Sequence, residues 1–178
     1  MKQRIVSLTR GRDFLEALAL LSGRSPVAVL CMLAILSGLG AACRSLPLLP
    51  PADLSAPGWR LQPGQAVWKS GENQPELAGE LLLATNARGD CFVQFSKTPF
   101  TLATAQVAND RWQIQFGSGE YERRGRGRPP HRFVWFQVPR AVAGSSAGGD
   151  WRFERLATNS WRLENRRTGE WLETHLFP

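Results

Sequence analysis

The side chains able to do covalent chemistry are few. Three cysteines, Cys31, Cys43 and Cys91, and two histidines, His131 and His175, are the thiols and imidazoles of the whole chain. No phosphate-cradling glycine loop or H-E-x-x-H run is present, and no tight Cys/His cluster offers a zinc site. A Cys91/His dyad is conceivable, but Cys91 alternates with Val93 and Phe95, which puts its sulfur on an apolar face. Burial there keeps a thiol protonated and inert. Glu120 and Glu122 stand two apart, where a strand would set two carboxylates on one face. Arg123 and Arg124 adjoin them, and solvated charge pairing accounts for the arrangement. The sequence predicts no catalytic residue, no metal and no cofactor.

Cys43 sits in a different setting. Nineteen residues without a charge, SPVAVLCMLAILSGLGAAC, separate Arg24 from Arg44. Before them, Lys2, Arg4, Arg10, Arg12 and Arg24 outweigh Asp13 and Glu16. A basic stretch, a short apolar core (Val27 to Leu36) and a small-residue run are the parts of a cleaved secretory signal. Nineteen residues would also just span a bilayer, but the core dissolves into Ser37-Gly38-Leu39-Gly40-Ala41-Ala42 and favours cleavage. Leu39-Gly40-Ala41-Ala42-Cys43 resembles a bacterial lipobox, with the leucine one place further out than usual. The resemblance implies cleavage after Ala42 and lipidation of Cys43. Residues 1–42 are then a lipoprotein signal peptide, 43–58 a lipidated proline-rich tether and 59–178 the folded domain. Arg44, following the cysteine, is not the aspartate associated with inner-membrane retention, which implies the outer membrane, facing the periplasm.

Removal of the leader changes the charge argument. The 178 residues carry 22 Lys+Arg against 15 Asp+Glu, an excess that suggests nucleic acid. Residues 43–178 keep 17 basic and 13 acidic side chains, close to one segment's worth: Arg123, Arg124, Arg126, Arg128 and Arg132. Arg126-Gly127-Arg128-Pro129 is similar to the core of a minor-groove AT-hook, but an exported protein does not meet chromosomal DNA. These arginines are expected to form either a membrane-facing basic loop, attracted to anionic lipid by about 1 kcal/mol each, or a plain solvated arginine-rich loop. No nucleic-acid partner is expected.

From Trp59 onward, apolar residues alternate at period two and turns recur about every ten residues. Cys91, Val93 and Phe95 share one face, as do Trp112, Ile114 and Phe116. The pattern predicts a mainly β domain, an antiparallel meander with one wet face. The one helical candidate, Pro130 to Val142, contains Pro139, so a short helix broken at Gln137, or a strand followed by a turn, fits it equally. All seven tryptophans lie beyond Cys43. A meander with a single apolar face and one short cover predicts a curved sheet over a greasy hollow. Leu81, Leu83, Val93, Phe95, Trp112, Ile114 and Phe116 are the expected lining, with Trp135 and Phe136 as the lid.

A lipobox with a tether, a tryptophan-bearing meander, an inserted Trp-x-x-Val-Pro-x-x-Val-x-Gly segment (Trp135 to Gly144) and a final hairpin together resemble the LolB/LolA lipoprotein-carrier superfamily. The resemblance covers residues 60 to 178 in order of elements. It implies an unclosed (half) β-barrel with a short helical lid that holds the acyl chains of lipoproteins or lipids. Its implied partners are a soluble periplasmic carrier and the inner leaflet of the outer membrane. No run matches that family's membrane-inserting loop, and its long first helix has no counterpart. Two other functions compete: a structural or assembly lipoprotein with a solid core that binds a protein partner, and an envelope enzyme using His131 or His175.

Overall fold

The alternating runs are strands. A computed structural model of the chain describes residues 46–117, 119 and 121–178; the expected signal peptide, Cys43 and Glu120 lie outside the described residues. The strands are β1 (Trp59–Lys69), β2 (Glu76–Asn86), β3 (Cys91–Lys97), β4 (Phe100–Ala108), β5 (Arg111–Phe116), β6 (Tyr121–Arg126), β7 (Trp151–Ala157), β8 (Ser160–Asn165) and β9 (Trp171–Leu176). They form one sheet in the order β6-β5-β4-β3-β2-β1-β9-β8-β7, and every neighbouring pair is antiparallel. The last strand returns beside the first, and β6 and β7 remain as the two ends of an unclosed sheet. Among the described residues, no helix is long and apolar enough to cross a membrane.

Two close approaches in this sheet need glycine. A Cβ on Gly79 would strike the Ser96 carbonyl oxygen and the Phe95 ring, so glycine lets β2 draw close to β3 there. At the register pair Trp112–Gly125, the Trp112 indole lies over the space a Gly125 side chain would need. Pro63 in β1 costs no ladder bond. Its carbonyl accepts from Phe177 N–H, so its nitrogen faces the side where β9 has already ended at Leu176.

Between β6 and β7 the chain leaves the sheet. Val134–Phe136 make a 3₁₀ turn and Val138–Val142 a short helix, α1, with Gln137 at the break. Pro139 stands in the first turn of α1, where a missing N–H removes no intrahelical bond.

Two expectations need correction. Arg123, Arg124 and Arg126 are not in a loop; they belong to β6, and only Arg128 and Arg132 follow it in irregular chain. β6 is held as a strand by its ladder to β5, whatever its own polarity. The proline-rich run before Trp59, expected to be an extended tether, turns over residues 54–58 and does not trail free of the sheet. Leu49 N–H donates to Gln113 Oε1 at 2.8 Å, Gln106 Nε2 donates to the Pro50 carbonyl at 3.2 Å, and Arg111 donates to the Pro47 carbonyl. Leu49 is buried, so the compact unit begins at Leu46.

The close approach at Gly79 gives a test by urea unfolding. Gly79→Ala should cost about 1–3 kcal/mol, as overpacking does. Gly71→Ala, whose Cβ would meet nothing nearer than 3.7 Å, should stay within about 0.5 kcal/mol of the wild type. Equal effects at the two sites would refute the packing described.

Candidate functional site

The inner face of the sheet collects the apolar positions of nearly every strand. Leu81, Leu83, Val93, Phe95 and Ile114 are buried there and belong to one core. Trp112 and Phe116 pack against it half-buried, nearer the β6 edge. Trp161, Leu163, Leu172 and Leu176 bring β8 and β9 into the same core. All seven expected lining residues therefore face one side of the sheet, the side on which the insert packs.

The hollow they line is occupied by the protein itself. Trp135, 1% exposed, stacks on Phe95 with ring centroids 5.2 Å apart. It also stands edge-on to Trp68 at 5.2 Å. Phe136, 2% exposed, meets Trp112 edge-to-face at 5.9 Å and Phe133 at 6.2 Å. Val134, Val138 and Ala141 complete the buried side of the insert. The two expected lid residues are thus a plug, set deeper than a cover would be.

What ties the plug down is sparse. Among the described residues, the main-chain hydrogen bonds of residues 128–148 stay within the insert. The His131 carbonyl accepts from the Trp151 indole N–H on β7 and from Gln137 Nε2 at 3.2 Å. Arg140 donates to Gln137 Oε1 at 3.2 Å and to the Ser146 carbonyl at 3.0 Å, and it lies 3.0 Å from His131 Nδ1. Gln137 is fully buried and both ends of its amide are satisfied by these contacts. Trp135 Nε1 and Thr174 Oγ1 are buried without a partner among the described residues, each leaving a desolvation cost of about 1–3 kcal/mol.

The chain matches no family model, no curated protein and no solved structure. Function must therefore be argued from the arrangement itself.

The basic residues do not act as one group. Arg123 lies over the Tyr121 ring at 4.8 Å and Arg132 over Phe133 at 4.7 Å, so both cations cover aromatic rings beside the open edge. Arg124 turns outward to Glu122 at 3.4 Å. Arg126 and Arg128 are exposed. His131 serves the insert through its carbonyl. His175, on β9, bonds Ser160 Oγ through Nδ1 at 2.8 Å. Burial pushes the Cys91 thiol up to about 12, and no group of three or more His, Cys, Asp or Glu side chains that could hold a metal occurs among the described residues.

One functional-looking group escaped the sequence. Glu170 accepts from Trp68 Nε1 at 3.0 Å, and burial raises its carboxyl to about 7. In the sequence it sits in an ordinary turn, Arg167 to Glu170; only the fold brings it to an indole 102 residues away. The protonated form is favoured in the folded state. Its stabilising contribution is present below the ordinary value of 4.5 and is lost as pH rises through 7. Wild-type stability should therefore fall between pH 4.5 and 7.5 by about 1–2 kcal/mol, allowing for solvent screening. Glu170→Gln should abolish that fall and exceed the wild type at pH 8, as measured by denaturation at each pH. Parallel pH profiles for the two proteins would contradict the assignment.

Proposed function

We propose that the chain is a lipid-anchored periplasmic binding protein that holds acyl chains of lipoproteins or lipids against its concave face. It would receive lipoproteins from a soluble periplasmic carrier and insert them in the outer membrane. The observation that carries the proposal is the plug: an apolar insert seated in a half-barrel, tied to the strands around it, among the described residues, by a single hydrogen bond from the Trp151 indole to the His131 carbonyl. A segment held by side-chain burial is one that another apolar body can replace.

The energies match. Exposing Val134, Trp135, Phe136 and Val138, all buried, costs about 6–12 kcal/mol at roughly 1.5–3 kcal/mol per side chain. An acyl chain of about fourteen carbons recovers about 10 kcal/mol at roughly 0.8 kcal/mol per methylene. Long chains compete with the plug and short ones do not. No bond is made or broken, so binding and release need no catalytic group. Cys43 would hold the domain at the membrane, and the arginines beside the open edge would favour its anionic surface.

The close packing of the interior, with Leu83, Phe95 and Ile114 wholly buried, also suits a structural or assembly lipoprotein whose outer surface binds a protein. Displacement of a fluorescent fatty acid from the full-length protein separates the two. The carrier should bind it saturably, and each two carbons removed from a competitor should weaken it by about an order of magnitude. Absent binding, or indifference to chain length, would leave the structural lipoprotein. For the anchor, Cys43→Ser should abolish incorporation of labelled palmitate in cells; an unchanged label would refute lipidation at that cysteine.

A further inference from the structure

Beside the plug, a cleft of about 540 Å³ opens between the insert and the row of register partners Arg60, Thr85, Cys91 and Val107. A second hollow of about 390 Å³, lined by Arg128, His131 and Gln137, shares Pro129, Phe136 and Arg140 with it. The two form one mouth beside the buried insert. Each volume lies in the range of small-ligand sites.

The mouth is amphipathic. Phe136, Pro139 and Val142 give it an apolar side, and Arg60, Arg128 and Arg140 give it three cations. Among the described residues, none of these arginines has a carboxylate within 4.0 Å. Arg140 is held instead by neutral acceptors and an imidazole, which fix the guanidinium without neutralising it. The acid in the lining is already engaged: Asp90 pairs with Arg88 at 3.3 Å and accepts from Asn86 Nδ2 at 3.0 Å and Asn109 N–H at 3.3 Å. One fixed and two further guanidinium groups, none paired with a carboxylate among the described residues, next to an apolar floor fit a carboxylate or phosphate attached to a hydrocarbon chain.

We propose that this mouth binds the anionic headgroup of a single-chain acylated amphiphile whose chain displaces the plug. The inference rests on the carrier function above and adds the charge of the cargo. Arg140 and Arg128 recognise the headgroup, and Arg60 lines the opposite wall.

Binding of tetradecanoate, tetradecylphosphate and tetradecanol to the full-length protein, followed by tryptophan fluorescence, tests it. Both anions should bind at least about tenfold more tightly than the alcohol at low salt, with the advantage shrinking as salt rises. Arg140→Gln should remove most of the anion-over-alcohol ratio, and any change it causes by loosening the plug it braces should be shared by all three ligands. Arg128→Gln, on an exposed segment, should lower that ratio in part, which covers the event that the Arg140 variant unfolds. Alcohol and anions binding alike would overturn the headgroup assignment and leave the carrier function standing. Failure of all three to bind would overturn both. Inorganic phosphate that bound as tightly as tetradecylphosphate would mark a free-anion site and also overturn the assignment.

Discussion

The contact of Trp135 with Phe95 and Trp68 joins the insert to the sheet, two parts that no backbone-to-backbone hydrogen bond of residues 128–148 connects among the described residues. It answers a constraint that the sheet imposes. Nine antiparallel strands with unpaired ends at β6 and β7 present a concave apolar face, and a closed barrel would have covered that face with strands. Here the chain between the two free ends does so. Its rings supply the area: Trp135 and Phe136 go in, while Phe133 links them to Phe116 at the margin.

The polar groups around the plug follow from the same constraint. An insert that enters an apolar interior brings main-chain and side-chain donors with it, and each needs a partner. Gln137 and the His131 carbonyl satisfy each other and recruit Trp151 and Arg140. Trp135 Nε1 finds none, a defect tolerable only because its rings bury so much surface. Glu170 is the reverse case, a carboxyl brought to a half-buried indole and held most easily when protonated. A site of this kind suits uptake of an apolar chain: the groups that secure the plug are few, and they are gathered at one mouth.

Much of this was legible before the structure, because alternation is the direct imprint of a sheet with one buried face. Cys91 to Phe95 and Arg111 to Phe116 show it cleanly, and both runs lie where expected. Pro139 limited the insert to a short helix broken at Gln137 or a strand and turn, because its ring restricts where a helix can run, and the chain takes the first. β6 was not legible. Its inner positions are Tyr121, Arg123 and Gly125, with no apolar alternation; the Trp112 ring from β5 covers Gly125, and Arg123 stacks on Tyr121. The apolar area of that strand is borrowed from its neighbour. The docking of Leu46–Pro51 was hidden for a similar reason, since Gln106, Arg111 and Gln113 read as a wet face until the carbonyls of Pro47 and Pro50 and the Leu49 N–H are placed against them.

The central claim is that an acyl chain and residues Val134–Val142 compete for one apolar space. Hydrogen–deuterium exchange of the insert amides, with and without a saturating long-chain fatty acid, tests it most directly. Displacement predicts faster exchange across Phe136–Gly144 on binding, while the amides of β2, β3 and β5 keep or gain protection. Unchanged or slower exchange in the insert, with the ligand bound, would contradict the account, because the plug would then have stayed in place.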